Sequence, residues 1–364
     1  MMHAAWITYP EAKVTYKFTN RRPSDTFTPK FVEKLKLRIQ ELGNLVLTDE
    51  EWEWAQSVQL LPSSFWEYLK TFRYNPDYVS CGLTDSGQLD LCIAGPWHET
   101  ILFEVPLLAI ISQTYFEDVP VVVNITSYKE KTYGKGLILS ENHCPFTEFG
   151  TRRRRSYDIQ KIAIEAFMSL PKNGLQRSTY VGTSNVFFSK TYGTPPIGTM
   201  AHEWIMAHAG MFGVKGSNAK ALEVWLKVFG DKYTIALTDT YTRETFFEEF
   251  TSVLAATYSG IRQDSGDPLS FVDQALAFYD SVGIDPKQKK VVFSDNLTVE
   301  RVLKIQERVK NRFIPLYGIG TNFTNDVEGS PSLNMVIKMS SINGRSVYKL
   351  TDSALKASKA SEAT

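Results

Sequence analysis

The stretch Ala255-Ala256-Thr257-Tyr258-Ser259-Gly260-Ile261-Arg262-Gln263-Asp264-Ser265-Gly266-Asp267-Pro268 carries the reading of the fold. Ala255–Arg262 reads as a short apolar strand. It gives way to a polar turn, and Pro268 opens a helix to Ser281, because the fixed φ of proline suits the first helical position. Strand, turn and helix make one βα unit. Further units flank it: strand Tyr233–Thr238 with helix Arg243–Phe250, strand Lys290–Ser294 with helix Thr298–Val309, and strand Ile314–Gly318. Strand starts recur roughly every 25 to 35 residues, the size of a βα unit in a parallel barrel or doubly wound sheet. An α/β fold follows.

Upstream, Ile159, Ile162, Ala163, Ala166, Phe167 and Leu170 form one helical face. A strand Thr179–Phe188, a helix starting at Thr199 and a helix Ser217–Phe229 closed by Gly230 come next. The first hundred residues mix strands and helices. Val14–Phe18 alternates like a strand. Val32, Leu35, Ile39 and Leu42 make a helical stripe ending at Gly43. Thr48-x-x-Glu51 and Ser64-x-x-Glu67 read as capping boxes, and Glu99–Phe116 as a buried helix despite Pro106. Val119–Val123 looks like a short strand. Asn124–Gly136 is polar and without period, so 119–146 reads as a divergent linker or loop.

Composition narrows the function. The 364 residues carry 40 Lys+Arg against 40 Asp+Glu, a formal charge of zero. No global field draws the chain to nucleic acid or an acidic membrane, so any anion site is local. Hydrophobic residues at 43% exclude a disordered chain. Cys81, Cys92 and Cys144 have neither metal-ligand spacing nor a disulfide pattern, which fits a reducing compartment. The apolar run Ile101–Ile111 is too short to span a bilayer, and no signal peptide is evident. A cytoplasmic and possibly nuclear location is the expectation.

Polar clusters stand at the C-terminal ends of the strands: Asp239, Arg262–Pro268, Ser294-Asp295-Asn296 and Gly318-Ile319-Gly320-Thr321-Asn322. Parallel α/β folds build active sites at that edge. Gly318, Gly320 and Thr321 suit a phosphate, since glycines let backbone N–H groups approach closely. Asp264 and Asp267 form a candidate Mg²⁺ pair; Asp267 equally suits a cap for the helix at Pro268. Thr199, read as an N-cap, puts His202 in a first helical turn, where the imidazole stays neutral and nucleophilic. A structural histidine is the competing reading. The zinc-protease motif fails, because Met206 stands where its second histidine belongs. Among Arg152–Arg155, one or two arginines are expected to face an anionic substrate. Phe149 beside them can stack on a flat ring.

Seven segments appear in order: Glu-Phe-Gly-Thr-Arg-Arg-Arg-Arg-Ser (148–156), Gly-Thr-Ser-Asn (182–185), Gly-Thr-Met-Ala-His-Glu-Trp (198–204), Ala-Leu-Thr-Asp-Thr (236–240), Arg-Gln-Asp-Ser-Gly-Asp-Pro (262–268), Ser-Asp (294–295) and Gly-Ile-Gly-Thr-Asn (318–322). The set resembles nicotinate phosphoribosyltransferases, most like the fungal and bacterial ones, over roughly residues 2–118 and 147–352. The resemblance implies an irregular α/β barrel of the type II phosphoribosyltransferase kind with an α+β N-terminal domain. The implied layout is 1–118 for the N-terminal domain, 147–324 for the barrel, and 325–364 for a segment returning to the N-terminal domain. The implied reaction makes nicotinate mononucleotide from nicotinate and 5-phosphoribosyl 1-diphosphate with ATP hydrolysis, in a homodimer with Mg²⁺.

By the same resemblance, His202 is phosphorylated by ATP. Thr199 and Arg262 bind the nicotinate carboxylate, Phe149 stacks on the pyridine ring, and Arg152 meets the substrate phosphate region. Asp264 sits beside the ribose or its metal, and Gly320 and Thr321 cradle the 5-phosphate. Asp295 and Gly318 complete the implied substrate-binding set. Three departures stand out. The family begins with an Asp-x-Tyr-Lys segment, whereas this chain starts Met1-Met2-His3-Ala4 and lacks that ring-contacting tyrosine. Residues 119–146 do not align, and the chain stops soon after Lys349-Leu350-Thr351-Asp352. The expectation drawn is a chain truncated at both ends with little or no transferase activity. A binding or dimer-partner paralogue, or a nicotinamide enzyme, is the alternative.

Overall fold

The structure, a computed structural model, describes residues 1–171 and 179–350. Its strands are β1 (Lys13–Asn20), β2 (Val79–Leu83), β3 (Leu89–Pro96), β4 (Phe146–Glu148), β5 (Tyr180–Thr183), β6 (Ile235–Leu237), β7 (Gly260–Gln263), β8 (Lys290–Phe293), β9 (Ile314–Ile319), β10 (Met335–Ile342) and β11 (Arg345–Ser346). They form two sheets, ordered β11-β10-β1-β3-β2 and β5-β4-β9-β8-β7-β6.

The first sheet is antiparallel. Val14, Tyr16 and Phe18 on β1 are buried, the period-2 face of a half-covered strand. On one side Tyr16 pairs with Ile93 of β3, and on the other with Met339 of β10. The chain after the barrel therefore completes the N-terminal domain. The second sheet is parallel and level: Ile235 pairs with Gly260, Gly260 with Lys290, and Lys290 with Ile314. At the other end Glu148 pairs with Ile319 and Thr183. Equal registers bring all the C-terminal turns to one edge. A Cβ on Gly260 would fall 2.2 Å from the Lys290 carbonyl oxygen, so strands β7 and β8 approach this closely only over glycine. β5 and β6 stay unpaired with each other, and Pro196 bridges to Thr183. The result is an irregular α/β barrel beside an α+β domain.

Helices follow their caps. Asp267 accepts from Ser270 N–H to start Pro268–Ser281, which buries Phe271, Val272, Ala275 and Tyr279. Thr48 and Glu51 form the expected capping box for Asp49–Val58. No helix among the described residues is long and apolar enough to cross a membrane.

Several expectations are corrected. Ala255–Arg262 is not one strand: helix Ser252–Thr257, capped by Thr251, precedes β7. Alanine-rich segments favour helix over strand once a cap is present. Thr179–Phe188 likewise breaks after β5, where Asn185 caps helix Val186–Tyr192. Ser64 makes no capping box, since Pro62 starts helix Ser63–Thr71 without a side-chain cap. Glu99–Phe116 resolves into Trp97–Thr100, Ile101–Phe103 and Glu104–Glu117.

The largest correction lies within 119–146, where the polar stretch read as loop is mostly helix. Asn124 caps helix Ile125–Glu141, and no strand forms at Val119–Val123. Its buried residues are Tyr128, Thr132, Gly136, Leu139 and Ser140, so small and polar side chains hide the helical period. Gly136 permits close packing, because a Cβ there would lie 2.8 Å from Leu170 Cδ1 and 3.0 Å from Phe167 Cδ1.

Candidate active site

His202 is the first residue of helix His202–Phe212. Ala201 holds the cap position, so Thr199 is not the cap; its hydroxyl instead accepts from Arg262 Nη1 at 2.7 Å. His202 Nδ1 lies 3.0 Å from Thr240 Oγ1. Its Nε2 lies 2.7 Å from Lys349 Nζ and 3.1 Å from Asp264 Oδ2. An ammonium donates and cannot accept, so Nε2 carries its lone pair towards Lys349 and the ring proton sits on Nδ1, donated to Thr240. Burial first, and then the Lys349 charge, push the His202 pKa down to about 4, against the pull of Asp239 and Asp264. The imidazole is neutral at ordinary pH.

Lys349 also donates to Asp239 Oδ2 at 3.1 Å, and Ser265 donates to the same oxygen. Burial alone would raise the Asp239 carboxyl; the charges of His202 and Lys349 outweigh it and hold it below the usual range. Asp239 Oδ1 is buried with no hydrogen-bond partner among the described residues.

Arg262 is fixed through all three nitrogens. Nε donates to Ser294 Oγ at 2.8 Å, Nη1 to Thr199 Oγ1 at 2.7 Å and Nη2 to Asp264 Oδ1 at 2.9 Å. Ser294 Oγ adds a 2.7 Å bond to Asp264 Oδ1. Asp264 thus stands between the guanidinium, whose N–H it accepts, and the imidazole, whose unprotonated Nε2 it approaches at 3.1 Å without a hydrogen bond. A preset planar cation of this kind receives a carboxylate with little reorganisation.

Phe149 follows β4, and its N–H donates to the Ile319 carbonyl at 2.8 Å. Glu148, fully buried, organises this turn. It accepts from the Gly150 N–H, from Gln160 Nε2 at 2.8 Å and from Thr183 Oγ1 at 2.6 Å. A Cβ on Gly318 would lie 2.5 Å from Phe149 Cδ2. Gly318 thus makes room for the Phe149 ring. Gly320 precedes the one-turn helix Thr321–Thr324, where a Cβ would meet only the Phe149 carbonyl at 3.4 Å.

The arginine run divides. Arg154 donates to Gln160 at 3.0 Å, and Arg155 donates to Ser330 at 2.7 Å with its guanidinium 4.2 Å from the Phe116 ring. These two are structural. Arg152 pairs with Glu104 at 2.7 Å, and Arg153 donates to the Met335 carbonyl at 2.9 Å. Burial, then the charges of Arg152 and Arg21, push Arg153 down to about 9, still cationic at neutral pH. Arg21 in turn senses Arg152, Asp264 and Asp295. Three crowded guanidiniums favour an anion between them.

Comparison with known proteins decides the family. A model of the nicotinate phosphoribosyltransferase N-terminal domain matches residues 1–112, and one of the nicotinate phosphoribosyltransferase family matches residues 144–364. The chain belongs to the nicotinate phosphoribosyltransferase family. It is 42% identical to the nicotinate phosphoribosyltransferase of Methanosarcina acetivorans over 95% of this chain and 88% of that one. It is 36% identical to a probable nicotinate phosphoribosyltransferase of Schizosaccharomyces pombe, over 98% and 91%. The crystal structure of a putative nicotinate phosphoribosyltransferase from Saccharomyces cerevisiae superposes with a TM-score of 0.93 at 34% identity, covering 98% of this chain and 92% of that one. Membership makes the chain an enzyme of the glycosyltransferase type, in NAD biosynthesis.

Within this nicotinate phosphoribosyltransferase framework, Asp264, Arg262 and Thr199 form one hydrogen-bonded set, and His202 Nε2 lies 3.1 Å from Asp264 Oδ2. Asp267 stays outside it: its Oδ2 accepts from the Ser270 N–H at 2.7 Å, as a helix cap. Among the described residues, ligand atoms of His202, Asp239 and Asp264 lie within 4.8 Å of one another, and the orphan Oδ1 of Asp239 suits a hard cation such as Mg²⁺. Asp295 is buried and accepts from Asn296 Nδ2 at 2.8 Å. Sequence reading missed Lys349, Thr240 and Arg21. Lys349 lies beyond the last barrel strand, with no local pattern to mark it. Arg21-Arg22 closing an alternating strand was the one available hint for Arg21.

Proposed function

We propose that this chain makes nicotinate mononucleotide from nicotinate and 5-phosphoribosyl 1-diphosphate, coupled to ATP hydrolysis through a phosphohistidine at His202. The observation that carries the reading is the neutral His202 imidazole, its Nε2 lone pair under Lys349 and 3.1 Å from the Asp264 carboxylate that Arg262 holds. Nε2 attacks the γ-phosphorus of ATP, the bond to the bridging oxygen breaks, and ADP departs with that electron pair. Lys349 balances charge on the transferring group. Thr240 holds the Nδ1 proton. Water later cleaves the N–P bond and restores the imidazole.

In the transfer itself, the pyridine nitrogen bonds to the anomeric carbon as diphosphate leaves with its electron pair. Arg262 and Thr199 receive the nicotinate carboxylate, and Phe149, seated over Gly318, takes a ring face. Gly320 and Thr321 take the 5-phosphate on a helix start. Arg152, Arg153 and Arg21 attract the diphosphate, and Asp264 faces the cationic ribosyl centre. Mg²⁺, when bound, neutralises diphosphate charge; Asp239 and Asp264 are the residues that would hold it. The family resemblance supports a homodimer with ATP as co-substrate. Labelling with γ-³²P-ATP tests the reading. The expected result is acid-labile label on the peptide bearing His202 and none in His202→Ala. Undiminished label in His202→Ala contradicts it.

A further inference from the structure

Helix Ile125–Glu141 lies between the two matched family regions, 1–112 and 144–364, and belongs to neither. Tyr128, Lys131 and Lys135 follow i, i+3, i+7 spacing, so they share one helix face. All three engage a single turn. Tyr128 OH donates to the Phe323 carbonyl at 2.8 Å. Lys135 Nζ donates to the Asn322 carbonyl and to Asp326 Oδ2, each at 2.5 Å. Lys131 Nζ reaches the Asp326 carbonyl at 3.2 Å and Oδ2 at 2.7 Å.

The gripped turn is the one-turn helix Thr321–Thr324 and its exit. The last carbonyls of a helix have no partner inside it, and a cation there suits the helix dipole. The ammonium and the phenol hold these carbonyls. The first N–H groups, of Thr321 and Asn322, lie at the opposite end of that helix. From the remaining side, Arg155 N–H donates to the Thr324 carbonyl at 2.9 Å, and Asn325 Nδ2 to the Arg153 carbonyl at 2.9 Å. Thr324 fills the space a Cβ on Gly150 would need, so the turn is also locked to the Phe149 loop.

We propose that Lys135, supported by Lys131 and Asp326, is a positioning residue for the 5-phosphate of 5-phosphoribosyl 1-diphosphate, acting through the Gly320–Asn325 turn. The proposal rests on the reading of that turn as the 5-phosphate site. Lys135 does not touch substrate. It fixes the direction in which the turn presents its N–H groups, and small misplacements of such groups weaken binding severalfold or more.

Steady-state kinetics on the full chain test it. Lys135→Met keeps the stem and removes the charge. KM for 5-phosphoribosyl 1-diphosphate should rise about tenfold, with KM for nicotinate within twofold, and Lys135→Arg should restore most of the loss. Tyr128→Phe, which keeps the buried ring, should move the same KM in the same direction and serves if Lys135→Met does not fold. Thr321→Val separates the two readings. If Thr321→Val raises this KM while Lys135→Met and Tyr128→Phe leave it unchanged, the positioning role is wrong and the phosphate site stands. If Thr321→Val leaves the KM unchanged, the phosphate site is wrong and the positioning role falls with it. Equal changes in both KM values in Lys135→Met also overturn the proposal.

Discussion

Two residues carry the chemistry, and each has a separable signature. Burial and the Lys349 charge keep His202 neutral down to about pH 4, so phosphoryl labelling should stay flat from pH 8 to about 5.5. An ordinary histidine, with its pKa near 6.5, would lose roughly tenfold over that range. Lys349→Met removes the cation that disfavours imidazolium, so its labelling should begin to fall at a higher pH than in the parent protein. An unchanged pH profile in Lys349→Met would show that Lys349 does not set the imidazole. Arg262→Ala removes charge-assisted bonds worth about 1.5–3 kcal/mol and should weaken nicotinate use roughly ten- to a hundredfold. Use of 5-phosphoribosyl 1-diphosphate should change less, and equal loss for both substrates would contradict a carboxylate-binding role. His202, Arg262, Thr199 and Asp264 were legible because each sits in a short contiguous motif, Arg262 and Asp264 at a strand end and Thr199 and His202 at a helix start. Lys349 was not, because its partner is 147 positions away. That Gly318 seats the Phe149 ring was not legible, because a glycine that seats a ring looks the same in sequence as one that admits a phosphate.

At the scale of elements, the alternation of strand and helix was legible wherever apolar period and cap agree. Helix Pro268–Ser281 has Asp267, proline and a clean stripe, and its bounds match the reading. Helix Ile125–Glu141 escaped because its buried face holds Thr132, Gly136 and Ser140 where a stripe needs aliphatic residues. The helix at Ser252–Thr257 escaped because a six-residue cylinder shows no full period. The packing of single glycines then becomes testable. Gly318→Ala sets a methyl 2.5 Å from Phe149 Cδ2, and the ring must move. Nicotinate KM should rise by several-fold, with thermal stability lowered by about 1–3 kcal/mol for overpacking. A lowered stability with unchanged nicotinate KM would detach Phe149 from the ring-binding role.

Over the whole molecule, the chain closes on itself: β10 returns beside β1, and Lys349, just beyond β11, reaches His202. That return was implied only by the family resemblance, since pairing between residues over three hundred positions apart leaves no local trace. Buried titratable groups at the junction give stability a pH dependence. His202 and His208 are both held neutral, near pKa 4, chiefly by burial. The unfolded chain binds their protons below about 6.5, so stability falls as pH drops from 6.5 towards 4. Glu203, raised to about 7 by burial and accepting from Tyr16 and Trp97, acts in the opposite sense, losing stability as pH rises from about 4.5 to 7. Glu203→Gln should therefore steepen the rise of the urea midpoint between pH 4.5 and 6.5, and an unaltered profile would contradict the assignment. The most direct test of the central claim is product formation by the purified chain. It should convert nicotinate and 5-phosphoribosyl 1-diphosphate to nicotinate mononucleotide and diphosphate, with ATP stimulation that His202→Ala abolishes. Absence of that product, or preferential use of nicotinamide, would contradict it.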